Sequence, residues 1–329
     1  MAYDGRIMQR ALTRFDEDKQ RRAAQLEQRR RTAYARAPRL AEIEAELRGT
    51  MGRIISSALA RGTDPVPAIR VLRDENLQLQ RERSELLASL GYPADYLVEK
   101  PACAKCGDTG YVSGGVCACL RAYYAREQLA ELSRLLPLGE DSFETFSFDW
   151  YDSAVQPAFG ISPRENMERN YDVCRDYAYQ FAKGSGDLLL SGGTGLGKTF
   201  LSACIARVVS ENGFSVVYDT AASVFSRFED AKFRRDDGGS EDADRCMRCD
   251  LLILDDLGTE MTTSFVQSAL YQIVNGRLMA GRSTIISTNL APEEIGSRYG
   301  RSVLSRLEGE YEILPFFGED IRRLKRERQ

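Results

Sequence analysis

The feature that most constrains this chain is a glycine-rich segment between an apolar run and a helical pattern. Residues 187–199 read DLLLSGGTGLGKT, and FLSACIARVVS follows. A strand, a glycine-rich loop and a helix in this order are the context that a phosphate-binding P-loop requires. Glycines let the loop backbone curl so that its N–H groups face the phosphates, and the following helix directs its positive end at the same anion. The predicted nucleotide-contacting residues are Gly192, Gly193, Thr194, Gly195, Leu196, Gly197, Lys198, Thr199 and Phe200.

A second apolar run, followed by two carboxylates, supplies a candidate magnesium site. Residues 250–256 read DLLILDD, which predicts a buried strand lying beside the P-loop strand. Asp255 is predicted to hold Mg²⁺ through water, together with the hydroxyl of Thr199, while Lys198 reaches the β- and γ-phosphates. Asp256 would polarise the attacking water. A plain strand end with solvated acids is the alternative interpretation of the pair.

Five short apolar runs predict the strands of one sheet. They cover residues 188–191, 215–219, 250–255, 284–288 and 311–316. Helical patterns separate most of them, which is typical of an α/β chain whose parallel sheet carries helices on both faces. The aromatic-rich stretch FETFSFDWY (143–151) would pack against this core or against a bound base. Because only 23 residues follow Arg306, a lid domain is expected to be vestigial or absent.

Four of the eight cysteines are closely spaced. The pattern C-x2-C, ten residues, C-x-C is formed by Cys103, Cys106, Cys117 and Cys119. The chain has no histidine, so a full ligand set for tetrahedral Zn²⁺ at this position must consist of thiolates. A closed four-ligand shell leaves no position for water, and the pattern therefore predicts a structural zinc. The lack of histidine also excludes Ser-His and Cys-His catalysis. Cys246 and Cys249 form a second C-x2-C, for which no further cysteine pair is evident.

Residues 1–98 are predicted to be helical. Residues 1–39 have few apolar anchors, which favours a solvated helix. Apolar residues then recur at spacings of three and four from Leu40 to Ala58 and from Ile69 to Leu90, on either side of a proline-containing break. The pattern predicts an antiparallel helical hairpin, at most a weak coiled coil. Its apolar stripe either packs the hairpin on itself or docks a partner protein.

The net charge and the hydropathy of the chain argue against several classes of protein: those that coat nucleic acid, those that span a membrane and those that are secreted. The net charge is −4, with 18 basic and 14 acidic residues in 1–98 and 27 and 35 in the remainder. This is not the basic excess of a protein that coats nucleic acid. Candidate DNA contacts are Arg227, Lys232, Arg234 and Arg235, but the acidic run that follows them favours a solvated loop. No apolar run of 18 residues and no secretory leader are evident, so we expect a cytoplasmic protein without a membrane partner.

These motifs resemble the DnaC/DnaI/IstB group of AAA+ ATPases, the replicative helicase loaders and their transposition-helper relatives. Within residues 140–325 the resemblance is carried by LLLSGGTGLGKTFLSACIA, LLILDDLGTE and STNL. The CAKCGDTGYVSGGVCACL segment is similar to the zinc module of DnaC-like proteins from Gram-positive bacteria. Together the patterns predict a helical or coiled-coil partner-binding region (1–98), a zinc module (99–122), a connector (123–170) and an AAA+ ATPase domain (171–329).

The resemblance implies roles for further residues. Asn289 matches the polar residue that contacts the γ-phosphate and the water in such ATPases. Arg306 matches the arginine finger that is offered to a neighbouring subunit, with Arg301 as the alternative. Arg322 or Arg323 would be a second sensor of the nucleotide.

The resemblance also implies cofactors and partners. The cofactors are ATP, Mg²⁺ and Zn²⁺. Residues 1–120 would bind the replicative DNA helicase, single-stranded DNA would be a second partner, and the protein would assemble on the helicase ring. Asp256 stands where glutamate is common in the wider class, so ATP hydrolysis is expected to be slow. The alternatives are a transposition helper, against which the cysteine module counts, and an adaptor whose nucleotide only stabilises the fold.

Overall fold

The computed structural model describes residues 3–59, 66–135, 142–233 and 237–328. The chain divides into two compact units, one formed by residues 1–12 and 118–329, the other by residues 13–117. None of the helices in the described ranges is long and apolar enough to cross a membrane.

The smaller unit contains three helices and a short hairpin. Its elements are α1 (Gly5–Arg36, from residue 13 onward), α2 (Arg39–Leu59), α3 (Val66–Ser89), β1 (Tyr111–Val112) and β2 (Gly115–Val116). Arg39 at the start of α2 donates to Glu82 near the end of α3 at 2.9 Å, so the two helices run antiparallel, as the spacing predicts. Arg83, a charged residue within the apolar pattern of α3, donates to Glu44 across the hairpin at 3.3 Å.

Most residues of helix α1 are exposed or partly exposed, as the predicted solvated helix requires, but the helix also has a buried face that the sequence analysis does not predict. Phe15, Leu26 and Ala33 are buried in the smaller unit, and Ile7 and Ala11 are buried in the larger one. The separations of eleven and seven residues in the first group correspond to about three and two helical turns, so these side chains share one face. Such a sparse stripe gives little periodic signal in the sequence, although all of its residues are buried.

The larger unit is an α/β structure. Its helices are α4 (Ala118–Leu135), α5 (Pro163–Tyr179), α6 (Lys198–Glu211), α7 (Ala221–Phe233), α8 (Asp237–Arg248), α9 (Ser264–Met279), α10 (Pro292–Tyr299), α11 (Arg301–Glu310) and α12 (Ile321–Glu327). Its strands are β3 (Asp187–Gly192), β4 (Val216–Thr220), β5 (Leu251–Leu257), β6 (Ser283–Thr288) and β7 (Tyr311–Phe316). Two 3₁₀ turns, Phe143–Thr145 and Phe148–Trp150, precede α5.

The five strands form one parallel sheet in the order β4-β5-β6-β3-β7. One hydrophobic cluster joins the sheet to α5 and α6, and a second joins it to α7, α9 and α11. This confirms the predicted α/β fold, a parallel sheet with helices on both faces. The prediction that β5 lies beside the P-loop strand β3 is wrong, because β6 lies between them. Hydropathy identifies strands but carries no information about their order.

The charged segment after β4 is helical on both sides of residues 234–236, where a solvated loop was expected. Arg227 on α7 forms an ion pair with Asp219 at the end of β4. On α8, Arg245 donates to Glu131 of α4 at 2.7 Å, and Cys246 is fully buried. The ion pair, the hydrogen bond and the buried cysteine stabilise these helices despite their high content of charged residues. Arg234 and Arg235 lie outside the described residues.

Candidate nucleotide site and cysteine cluster

The P-loop lies at the carboxyl edge of the sheet, where residues 193–197 join β3 to α6. Gly192, Gly195 and Gly197 have φ angles of +149°, +70° and +97°, a region that residues with a side chain rarely adopt. A Cβ on Gly192 would also lie 2.0 Å from the carbonyl oxygen of Phe316 on the neighbouring strand β7. The glycines are therefore required by the curl of the loop and by its close packing.

Lys198 is held inside this curl. Its side chain is buried, and Nζ donates to the carbonyl oxygens of Gly192 and Gly193 at 2.6 Å each. Burial lowers the pKa of Lys198, and the nearby carboxylates of Asp256 and Asp255 oppose that shift. An anion bound by the N–H groups of the loop would meet this ammonium group directly.

Asp255 at the end of β5 is buried and is surrounded by hydroxyl groups. Its Oδ1 accepts from the hydroxyl of Ser287 and, at 3.4 Å, from that of Thr199. Its Oδ2 accepts from the hydroxyl of Tyr218 at 2.8 Å. The structure thus brings Thr199 and Asp255 together as the chemistry of a hard divalent cation requires, since Mg²⁺ prefers oxygen ligands.

Asp256 is exposed and adopts a left-handed backbone conformation with φ +54°. Its N–H donates to Ser287 Oγ at 3.0 Å. Partial desolvation and then the charge of Asp255 raise the pKa of Asp256, while Lys198 and Arg322 oppose the shift. A carboxylate that is less acidic than usual is a better acceptor for the proton of a water molecule.

A cavity of about 430 Å³ opens beside the loop. The sequence-predicted residues on its wall are Thr194, Gly195, Leu196, Gly197, Lys198, Thr199, Phe200, Asp256, Asn289 and Arg322. Gly192 and Gly193 are not on the wall, but their carbonyl oxygens accept hydrogen bonds from Lys198. Asp255 contacts the wall residue Thr199. Ten predicted residues therefore line one cavity, and Gly192, Gly193 and Asp255 contact residues of its wall.

The remaining candidate arginines lie elsewhere. Arg306 on α11 is half-exposed, with its guanidinium 3.9 Å from Glu310, and it is not part of the cavity wall. Arg301 is exposed at the start of the same helix. Arg323 pairs with Glu319 at 3.4 Å, so of the two sensor candidates only Arg322 faces the cavity.

The aromatic stretch before α5 contributes residues that the P-loop pattern does not contain. Tyr151 is buried, and its hydroxyl donates to the carbonyl oxygen of Leu196 at 3.1 Å. Phe143 is part of the hydrophobic core, and Phe146 packs against that core and also lines the cavity. The stretch therefore packs against the core, as one alternative proposed, and also forms a wall of the site.

The short helix α12 closes another side of the cavity. Its first N–H, from Ile321, donates to the carbonyl oxygen of Gly195 at 3.0 Å. Asp320 caps the helix by accepting from the N–H of Arg322 at 2.8 Å. The Trp150 ring lies 5.5 Å from Lys325 Nζ and 4.5 Å from the guanidinium carbon of Arg328. Among the described residues after β7, this seven-residue helix is the only helix or strand, and three of its residues line the cavity.

Tyr218 and Ser287 contact the site and were missed by the sequence analysis. Tyr218 stands in an apolar strand, where an aromatic residue indicates core packing. Ser287 precedes Asn289 in the TIISTN segment, so the polar end of that strand was a usable signal.

The four clustered cysteines fit a zinc ion. Their Sγ atoms all lie within 4.8 Å of one another, and those of Cys103 and Cys117 are 3.8 Å apart. Tetrahedral Zn²⁺ with Zn–S bonds of about 2.3 Å places its sulfur ligands about 3.8 Å apart. The C-x2-C of Cys246 and Cys249 is buried instead, and Arg277 donates to both of its carbonyl oxygens.

Asp108 orders the first cysteine turn. Its carboxylate accepts from the N–H groups of Cys103 at 2.9 Å and Ala102 at 3.0 Å, and from Arg22 at 2.9 Å. Burial by itself would raise the pKa of Asp108, but these three donors outweigh it and lower the pKa. Hydrogen bonds of this kind fix the backbone from which metal ligands project.

The chain is similar to several known proteins over its C-terminal half. Residues 173–329 match the family described as IstB-like ATP binding protein. The uncharacterized protein YdaV of Escherichia coli K12 is 31% identical over 161 residues, which are 45% of this chain and 64% of YdaV. The replicative helicase loader DnaC of Escherichia coli K12 is 30% identical over 135 residues, 40% of this chain and 54% of DnaC. The chain therefore spans less than two thirds of either relative. A crystal structure of the DnaC helicase loader matches 55% of this chain and 99% of its own, with 20% identity and a TM-score of 0.46.

Proposed function

Since residues 173–329 match the family of IstB-like ATP binding proteins and the chain is similar to DnaC, we propose that this protein is an ATP-dependent helicase loader with an AAA+ ATPase domain. It binds the replicative DNA helicase and single-stranded DNA in the cytoplasm and hydrolyses ATP slowly. The observation that supports this most is that the P-loop, Asp256, Asn289 and Arg322 line one cavity.

The site residues divide the chemistry between them. The N–H groups of residues 193–199 and the ammonium of Lys198 bind the triphosphate. Thr199 and Asp255 hold Mg²⁺, which supplies positive charge at the β- and γ-phosphates when bound. Asp256 and Asn289 orient the attacking water.

Two features favour slow turnover. Asp256 is one methylene shorter than glutamate, so its carboxylate reaches less far into the cavity. Arg306 lies outside its own cavity wall, on the solvent-facing side of α11, which suits an arginine that completes the site of a neighbouring subunit. Hydrolysis then depends on self-assembly, as on a helicase ring.

The cysteine cluster and the helical hairpin are the proposed helicase-binding part. Four thiolates around Zn²⁺ tie residues 103–119 together, and a chain segment too short to bury its own core gains stability from such a metal. The helicase would contact residues 1–120.

The mass of the complex that the full chain forms with its host's replicative helicase and Mg-ATP tests this proposal. We expect a species heavier than the helicase hexamer by one or more copies of the chain. ATP turnover should increase with single-stranded DNA and fall about a hundredfold in Asp256→Asn. The matched variant Asp244→Asn, on an exposed carboxylate of α8, should keep the wild-type rate. A helicase that keeps its own mass at every ATP concentration would contradict the loader function.

The family description leaves a transposition helper as a second candidate, because the matched family is IstB-like. Such a protein would bind duplex DNA in preference to single strands and would leave the helicase unbound. Competition between the two forms of DNA for the ATP-loaded chain separates the candidates.

A further inference from the structure

Tyr218 is a buried tyrosine whose hydroxyl contacts the carboxylate of Asp255, the proposed Mg²⁺-binding group. It stands on β4, two residues before Thr220, which pairs with Asp255 in the sheet register. Its ring is 3% exposed, and its hydroxyl donates to Asp255 Oδ2 at 2.8 Å. A phenylalanine would satisfy the core equally well, so packing alone does not account for this hydroxyl.

Asp255 is held from both sides of its strand. Tyr218 approaches from β4 and Ser287 from β6, the two strands that flank β5. The terminal torsion of an aspartate is soft, because rotation about its sp³–sp² bond has broad minima. Hydroxyl donors on both oxygens remove that freedom and fix the plane of the carboxylate. Oδ1 already accepts from both Ser287 and Thr199, whereas Oδ2 accepts only from Tyr218 among these hydroxyls and keeps a lone pair for a further donor.

Ser287 connects this carboxylate to its neighbour. The serine hydroxyl donates to Asp255 and accepts from the N–H of Asp256 at 3.0 Å. The same oxygen therefore fixes the side chain of one acid and the left-handed backbone of the other. Tyr218 and Ser287 together determine where both acids lie relative to Thr199.

We propose that Tyr218 is a positioning residue for magnesium: its hydroxyl orients Asp255 so that the carboxylate would hold, through water and together with the hydroxyl of Thr199, the Mg²⁺ that accompanies ATP. This inference rests on the proposed nucleotide function. It adds a residue outside the P-loop and the two acids. Hydrogen-bond partners of metal-binding groups affect metal affinity by roughly 10- to 100-fold, and here the effect acts through water, so the lower end applies.

The test is the Mg²⁺ dependence of nucleotide binding by the full chain. A fluorescent ATP analogue is titrated at a series of Mg²⁺ concentrations and in EDTA, using wild type, Tyr218→Phe and Tyr177→Phe. Tyr177 is the matched control, because its hydroxyl donates to the carbonyl oxygen of Gly186 at 3.0 Å, away from the cavity. We expect Tyr218→Phe to raise the Mg²⁺ midpoint roughly tenfold. Its affinity in EDTA should stay unchanged, and excess Mg²⁺ should restore wild-type binding.

Each outcome bears on a different statement. If wild type binds no nucleotide, the proposed function fails and the inference fails with it. If wild type binds with a measurable Mg²⁺ midpoint and Tyr218→Phe has the same midpoint, only the inference is overturned. An equal shift in Tyr177→Phe, or a loss of affinity in EDTA, would mean a general structural effect and would also overturn it. Ser287→Ala provides a second variant if Tyr218→Phe does not fold, and it should raise the same midpoint.

Discussion

Replacing Gly195 by alanine should damage the P-loop through a specific collision. A Cβ at this position would lie 1.9 Å from Oδ1 and 2.3 Å from Cγ of Asp320. Asp320 is short and caps α12 through that same Oδ1, so it can only avoid the methyl group by giving up the cap. Loss of an N-cap costs roughly 1 kcal/mol, and the left-handed backbone of Gly195 costs an alanine roughly 1–2 kcal/mol. The free energy of unfolding should therefore fall by about 2–3 kcal/mol.

Two further variants separate these contributions. Gly186→Ala has a comparable φ of +87° with nothing within 4 Å of the new Cβ, so it should lose only the backbone part of about 1–2 kcal/mol. Asp320→Ala should lose only the cap. Because the cap cannot be lost twice, the double variant Gly195→Ala/Asp320→Ala should be more stable than the sum of the single changes by about 1 kcal/mol.

Urea denaturation followed by the fluorescence of Trp150, the single tryptophan of the chain, reports on the unit concerned. ATP affinity measured in parallel should fall in Gly195→Ala and stay unchanged in Gly186→Ala, because only the first displaces the helix that carries Arg322. Additive free energies in the double variant, or equal losses in the two glycine variants, would refute the reasoning.

Three further predictions concern single positions. Lys198→Met keeps the buried volume but removes the charge, and calorimetry should show ATP affinity reduced by about 100-fold; unchanged affinity would refute the site. Cys103→Ser in the full chain should lower bound zinc, measured by atomic absorption, from one ion per chain to none, and retention of the ion would show that the ligand set is wrong. Burial raises the pKa of Asp187 from 3.8 to about 6, against the opposing N–H of Thr284 and the charge of Arg277. Its stabilising contribution is therefore complete below about pH 4 and is lost as the pH rises through about 6. Relative to wild type, Asp187→Asn should gain roughly 1–3 kcal/mol of unfolding free energy between pH 4 and pH 7, and a constant difference in urea denaturation would contradict this assignment.

The strands and the P-loop could be predicted from the sequence because local patterns determine them. Each predicted strand lies within two residues of an observed one. For β3 to β6 the reason is that a strand buried on both faces must be apolar along most of its length, whereas the edge strand β7 exposes three of its six residues. The glycines at 192, 195 and 197 are required by backbone angles and close packing that the motif itself implies. Asn289 and Arg322 came from resemblance, and the structure places both on the cavity wall.

Other features depend on residues far apart in the sequence. Tyr218 is indistinguishable from a core aromatic until β4 and β5 are paired in register. The buried stripe on α1 is too sparse to be recognised before its partners are known. The order β4-β5-β6-β3-β7 places β6 between the two strands that carry the phosphate loop and the acids.

The sequence by itself therefore determined which segments form the sheet, which loop has the glycine pattern of an anion-binding turn and which cysteines lie close together. These properties follow from short-range periodicity, glycine backbone freedom and ligand spacing. Only the tertiary structure decided that Arg322 rather than Arg323 faces the cavity, that Arg306 lies outside it, and that two hydroxyls fix Asp255. Side-chain direction at such positions is set by the pairing and packing of whole elements, and no local pattern of residues encodes that.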